Sequence, residues 1–212
     1  RLRTGLCRIA DNTIAYGGRV YHSAVGILIM FSGCNTISHN HIHDLYYTGI
    51  QVGWGWTYAD TVIRENRVEW NHIHDIGKGW LSDLGGIYTL STQPGTVIRG
   101  NRIHDITCAV YGANAIYLDD CTAHVVVEKN VCYRTSRDIL NLKGRENIVR
   151  NNVFALGDAG IVRLARTEPD VVTATLEHNV ILTDGAPIFR SGYGPQLSDR
   201  TLRSDLNTFW DA

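Results

Sequence analysis

The stretch ISHNHIHD at residues 37–44 returns as VEWNHIHD at 68–75 and as IRGNRIHD at 98–105. Reduced to its chemistry the shared pattern is apolar-x-x-Asn-x-apolar. It occurs seven times, at Ile9…Asn12…Ile14, Ile37…Asn40…Ile42, Val68…Asn71…Ile73, Ile98…Asn101…Ile103, Val127…Asn130…Cys132, Ile148…Asn151…Val153 and Leu176…Asn179…Ile181. The Asn positions lie 28, 31, 30, 29, 21 and 28 residues apart, and a degraded eighth copy at Asn207-Thr208-Phe209 follows 28 residues on. An overlapping copy, Ile63…Asn66…Val68, would phase its rung five residues earlier.

A second repeat, a small residue followed by Ile, lies between these: Gly26-Ile27, Gly49-Ile50, Gly86-Ile87, Ala115-Ile116, Asp138-Ile139, Gly160-Ile161 and Pro187-Ile188. Each period holds two or three short β-branched segments, and no segment sustains a helical period. A repeat of 20–50 residues implies a stacked array. The dense Leu consensus of leucine-rich repeats is missing, and a propeller blade needs four strands per period. The pattern therefore predicts an all-β, right-handed parallel β-helix of about seven to eight turns. It forms a single domain over residues 1–212 and is a partial helix if more chain flanks it. Turns stacked at about 4.7–4.9 Å give a rod of roughly 35–40 Å with one continuous Ile/Val/Leu core. The seven Asn read as ladder residues at tight corners, each bonding its counterpart above and below. No amphipathic capping helix is evident at either end, so the end turns are expected to continue into a longer β-helix or to meet another subunit.

Composition narrows the field. Twenty Lys+Arg against 21 Asp+Glu give a net charge of −1, which steers the chain toward neither nucleic acid nor an anionic membrane. Only Lys78, Lys129 and Lys143 are lysines, so the basic groups are mostly Arg, suited to planar paired contacts. With 44% hydrophobic and 19% charged residues the chain is not disordered. No apolar run approaches the ~20 residues of a membrane span, and the opening residues are expected to be structure and not a signal peptide. Cys7, Cys34, Cys108, Cys121 and Cys132 form no CxxC pair and read as small buried apolar residues.

Function in a solenoid collects where the repeat is interrupted. The largest interruption lies between Ile50 and Ile116, where Trp54, Trp56, Trp70 and Trp80 concentrate. Such rings either plug widened turns or stack on sugar rings. Alternation from the inward Ile50, Ile87 and Ile116 turns Gln51, Tyr88 and Tyr117 outward, followed by Gly53, Leu90 and Asp119, with Asp120 at the strand end. Asp119 and Asp120 beside the two tyrosines form either an outward acidic site or a solvated turn. Two close carboxylates push one pKa upward, as a general acid requires. His43, His74 and His104 share a phase and should stack on one outward face. Convergent imidazoles can bind a metal, but repeat-locked residues are generally ladder residues, and no metal or cofactor is expected.

The segments TGIQVGWGW, NHIHDIGKGWLSDLGGIYTLSTQPGTVIRGNRIHDI, AIYLDD and GRENIVRNNVF resemble right-handed β-helix proteins of bacterial polysaccharide degradation, and most closely glycoside hydrolase family 141. The family's described activities include α-L-fucosidase and xylanase. The resemblance runs from about Ile9 to Ile181 and implies cofactor-free hydrolysis of a plant-type polysaccharide by paired carboxylates. The family's suspected acids match Asp83 and Asp119, and the residue at Asp120 is commonly acidic. Relatives often carry a His-x-His pair where this chain has Leu140-Asn141-Leu142-Lys143, which puts specificity or activity in question.

The leading reading is a glycoside hydrolase acting on a plant-type or bacterial polysaccharide. Asp119, Asp120 and Asp83 would be its acids, and Trp54, Trp56, Trp80, Tyr88, Tyr117 and His74 would hold sugars. A widely separated pair on a β-helix face favours inversion. One difficulty stands: along a straight strand Asp83 and Asp119 lie about 23 Å apart, so the 77–86 loop must fold back. A polysaccharide lyase using Lys143 or Arg163, and a non-catalytic glycan-binding β-helix, are the alternatives. The substrate class implies an extracellular or periplasmic location.

Overall fold

The computed structural model describes residues 4–166, 168, 170–191 and 201–212. Two eight-stranded sheets and one seven-stranded sheet, all parallel, are built from strands taken in strict rotation: every third strand in sequence joins the same sheet. The first sheet runs from Arg8–Ala10 to Leu202–Asp205, the second from Thr13–Ala15 to Thr208–Asp211, and the third from Ile27–Ile29 to Phe189–Ser191. The expected parallel β-helix is what forms. Among the described residues there is no helix, hence none long and apolar enough to cross a membrane.

Each sheet contributes an inward column of apolar side chains. The first stacks Ile37, Val68, Ile98, Val127, Val149 and Leu176, and the second stacks Ile42, Ile73, Ile103, Cys132, Phe154 and Ile181. The third stacks Ile27, Ile50, Ile87, Ile116, Leu140 and Val162. Nearly all are wholly buried in one core, and each fully buried aliphatic contributes roughly 1.5–3 kcal/mol.

The corner between the first and second sheets explains the repeat. The residue before each ladder Asn is left-handed: Asp11, His39, Trp70, Gly100, Lys129, Asn151, His178 and Leu206 all have φ between 54° and 65°. The Asn itself is not left-handed; it follows the corner and satisfies the backbone there. Asn71 accepts from the backbone N–H and the side-chain amide of Asn40, and donates to Asn101 Oδ1 and to the Ile37 carbonyl.

Three expectations need correction. In the sixth copy the ladder residue is Asn152, which accepts from Asn130 and donates to Asn179, while Asn151 is the left-handed corner. The true motif there is Val149…Asn152…Phe154. A one-residue shift exchanges the faces of a strand, and burying Phe154 and Val149 while exposing Ile148 and Val153 wins. The small-Ile repeat slips likewise: Leu140 and Val162, not Ile139 and Ile161, continue the Ile116 column. Among the thiols only Cys132 is buried, in the core position Ile holds in other rungs, and burial pushes its pKa up. Cys7 and Cys34 are exposed. The overlapping Ile63…Asn66 copy belongs to a second, shorter ladder, in which Asn35 donates to Asn66.

Candidate active site

The outward face of the third sheet carries the column Leu28, Gln51, Tyr88, Tyr117, Asn141, Arg163 and Arg190, one residue per rung. An outward face should be wet, yet Tyr88 and Tyr117 are only 5% and 2% exposed. With Leu90 they form a small apolar cluster apart from the main core. The Trp54-Gly55-Trp56 segment leaves the strand Ile50–Val52 beside this cluster, and Gly55 is pinned by a hydrogen bond from Ser91 Oγ to its carbonyl, 2.8 Å. Trp54 and Trp56 meet edge to face at 5.7 Å. They share with Tyr47, Gln51, Asp83 and Tyr88 the wall of a cavity of about 480 Å³. Trp56 also borders a neighbouring cavity of ≈ 390 Å³, lined by Tyr58, Asp120, Arg145 and Glu168.

Asp83 immediately precedes the strand Leu84–Thr89 and is left-handed, φ 62°. Its N–H donates to the Tyr111 carbonyl at 2.9 Å, and its own carbonyl accepts from Tyr47 Oη at 2.8 Å. Gly112 makes this approach possible: a Cβ there would stand 2.8 Å from the Asp83 Cα. The Asp83 carboxylate accepts from Tyr117 Oη at 3.0 Å. Tyr117 stacks on Tyr88 with centroids 4.5 Å apart and planes at 13°, and Tyr88 Oη donates to Asp119. Two hydrogen bonds and one rung spacing thus join Asp83 to Asp119, which keeps the carboxylates within about 10 Å. The 23 Å straight-strand separation is corrected, because the acids meet through a tyrosine pair that projects from the strands.

Asp119 follows the strand Ala113–Leu118 and is 3% exposed; it pairs with Lys143, whose ammonium also lies 3.7 Å from Asp120. Leu118 and Leu142 are register partners, so Asp119 and Lys143 leave adjacent rungs side by side. Burial raises the pKa of Asp83; the Tyr117 hydrogen bond and the Lys143 charge oppose this, and repulsion from Asp119 and, less, from Asp120 adds to it. Burial, with Asp119 beside them, drives the Tyr88 and Tyr117 phenols well above their ordinary range, so both remain hydrogen-bond donors. Burial also pushes Tyr47 up to about 12.

The structure thus gathers Asp83, Asp119, Asp120, Tyr88, Tyr117, Trp54 and Trp56 on one face. Trp80 does not line the larger cavity; it packs edge-on against His22 and Tyr46, the chain neighbours of the cavity residues Ser23 and Tyr47, and is 62% exposed. His74 is on the second sheet, in the strand His72–Ile76, away from these acids. Trp70 covers Gly100 at a corner. Sequence reasoning missed Asn141, a fully buried outward residue between Tyr117 and Arg163 whose amide has no hydrogen-bond partner among the described residues. Its signal was register with Tyr117, obscured by the slipped phase at Ile139.

A parallel β-solenoid with an aromatic-walled, acid-bearing groove on one outward face is the class that fold and site define. Residues 3–181 match the family model described as the right handed beta helix region. The chain belongs to that family. No curated protein matches the sequence. Among solved structures it is similar to a glycoside hydrolase, at 19% identity and TM-score 0.51, covering 98% of this chain and 26% of that one. It is also similar to the GH136 lacto-N-biosidase from Eubacterium ramulus, at 16% identity and TM-score 0.57, covering 84% and 28%. A third similarity is to the alginate lyase from Paenibacillus sp. str. FPU-7, at 15% identity and TM-score 0.53, covering 99% and 76%. At these identities the likeness is one of fold. The chain spans about a quarter of the length of the first two.

Proposed function

We propose that the protein is a glycoside hydrolase acting on a plant-type or bacterial polysaccharide in the groove over the third sheet. The observation that carries this reading is Asp83: a carboxyl whose pKa is raised, in a cavity walled by Trp54 and Trp56, and hydrogen-bonded through Tyr117 to the face that holds Asp119 and Asp120. Held protonated, Asp83 donates to the leaving glycosidic oxygen while Tyr117 orients its other oxygen. Asp120, partly exposed and lining the cavity that shares Trp56, is the carboxylate that activates water. Asp119 is buried, and positions Tyr88 and Lys143. The sugar rings stack on Trp54 and Trp56, and a separated acid pair favours inversion. A fold shared with a glycoside hydrolase and a lacto-N-biosidase agrees with this chemistry. A polymeric substrate implies an extracellular or periplasmic site of action.

A second reading, a polysaccharide lyase, is favoured by the basic end of the outward column. Arg163 and Arg190 follow Asn141, and Lys143 lies 5.6 Å above the Tyr117 ring, with Lys143 paired to Asp119 and Arg190 to Asp138. Arg163 would then be the cation that neutralises a uronate carboxylate, and the alginate lyase shares the fold. The experiment is an oligosaccharide and polysaccharide panel assayed for new reducing ends and for the ultraviolet absorbance of unsaturated uronates. Hydrolysis predicts reducing ends without that absorbance, with a loss of about 10²-fold or more in Asp83→Asn and in Asp120→Asn. Absorbing products support the lyase, and binding without cleavage supports a glycan-binding β-helix.

A further inference from the structure

The second sheet carries a histidine array unrelated to the groove. His41 and His72 are register partners, as are His43, His74 and His104 along the next outward column. Only the second column was evident from repeat phase; the first lies beside it and converts a stack into a cluster. Rings within and between columns lie 4.4–5.2 Å apart. One ring nitrogen from each of His41, His72 and His74 falls within 4.8 Å of the others.

Two features separate this cluster from a packing ladder. His74 Nδ1 lies 2.6 Å from Asp75 Oδ2. A carboxylate there accepts the Nδ1–H, so Nε2 carries the lone pair and faces His41 Nε2 at 2.7 Å. The carboxylate–histidine pairing that orients ligands in metal sites is therefore already built. The second feature is charge. Asp44 and Asp105 hold the equivalent histidines His43 and His104, but Lys78 neutralises Asp44 and Arg134 neutralises Asp105. Among the described residues Asp75 makes no direct ion pair with Lys or Arg, and Arg134, bidentate on Asp105, attracts it only at longer range. The one rung that supplies two of the three nitrogens is the rung whose carboxylate has no cation in direct contact.

The geometry points to a binding site for one divalent borderline cation, Zn²⁺ or Cu²⁺, held by His41, His72 and His74 with Asp75 as the positioning residue. Nitrogen donors favour these ions over Ca²⁺ and Mg²⁺, which require oxygen. A tetrahedral Zn²⁺ at ~2.0–2.1 Å keeps its ligand nitrogens about 3.3–3.4 Å apart, so the His41–His74 pair opens by under an ångström, and the His72 nitrogen, within 4.8 Å of the others, closes by up to about 1.5 Å. No proton need be lost: His41 moves its proton from Nε2 to Nδ1 and presents a lone pair, and His72, whose Nε2 lies 2.8 Å from His104 Nε2, does the same by releasing that hydrogen bond. The ion ties the strand His41–His43 to the strand His72–Ile76, and Arg102, register partner of His72, closes the column on its far side.

The test is titration of the EDTA-treated protein with Zn²⁺ alone, followed by calorimetry, with Ca²⁺ in parallel. One equivalent of Zn²⁺ per chain is expected and no Ca²⁺ heat. Affinity should fall at least tenfold in His41→Gln and His74→Gln, and about 10–100-fold in the exposed variant Asp75→Asn. His124→Gln, outside the cluster, should bind like the parent. Far-ultraviolet dichroism checks that each variant folds. Absence of stoichiometric Zn²⁺ uptake, or uptake unchanged in Asp75→Asn and both histidine variants, overturns the site.

Discussion

Asp83 owes its chemistry to neighbours that are distant in sequence. It sits in a left-handed corner, with Gly112 clearing space on the next rung and the Tyr117 hydroxyl arriving from that same rung. A general acid works while protonated, so activity is lost as pH rises through its pKa. Since burial raises that pKa, the alkaline limb of the rate profile should lie above the ordinary carboxylate range. The Tyr117 hydrogen bond lowers the Asp83 pKa, so Tyr117→Phe should move that limb to higher pH, as read from kcat/KM against pH. An unmoved limb would separate Asp83 from the chemistry. The acids and tyrosines were legible at this scale because alternation within one strand places them. Asp83's approach to Tyr117, and the exposed packing of Trp80 on His22 and Tyr46, were not legible, since loop geometry decides them.

At the scale of the element, the ladders turn repeats into stability. Asn71 is buried and its side chain makes four hydrogen bonds across three rungs. Asn71→Ala strands two backbone groups, the Asn40 N–H and the Ile37 carbonyl, and two neighbouring side-chain amides. It should cost about 2–5 kcal/mol in urea unfolding, against about 1 kcal/mol for Asn207→Ala on the half-buried last rung. The first sheet has its own polar ladder. Glu69, Arg99, Glu128 and Arg150 are successive register partners, and Glu128 accepts from Arg99 at 2.6 Å and Arg150 at 2.8 Å. Burial opposes ionisation of Glu128, but the Arg150 and Arg99 hydrogen bonds win and hold its pKa down. A depressed carboxylate stabilises above its unfolded pKa, and that stability is lost as pH falls below about 4.3. Glu128→Gln should therefore lower stability by about 1–2 kcal/mol at neutral pH, discounted for the partly exposed arginines, and flatten its acid dependence. Scanning calorimetry between pH 3 and 7 (roughly the span of that titration) reads both. Strand existence was plain in the sequence, but register was not. Where two neighbouring residues both fit the motif, as Asn151 and Asn152 do, only the larger buried side chain, Phe154, decides.

The whole molecule is a stack in which a residue's neighbours lie one period away. Seven Asn-centred repeats were enough to reveal that, because each must recur at the same corner for the inward columns to align. The site was only half visible, because it needs the stack and also the insertions that roof one face of it. The two acids illustrate the point: Asp83 and Asp119 belong to consecutive rungs and meet only through Tyr117 and Tyr88. The most direct measurement is therefore a carbon-13 NMR titration of the Asp83 side-chain carboxyl in the parent protein and in Asp119→Asn. The account predicts an Asp83 pKa above the ordinary aspartate range that falls when the Asp119 charge is removed. An ordinary value, equal in both proteins, would contradict it.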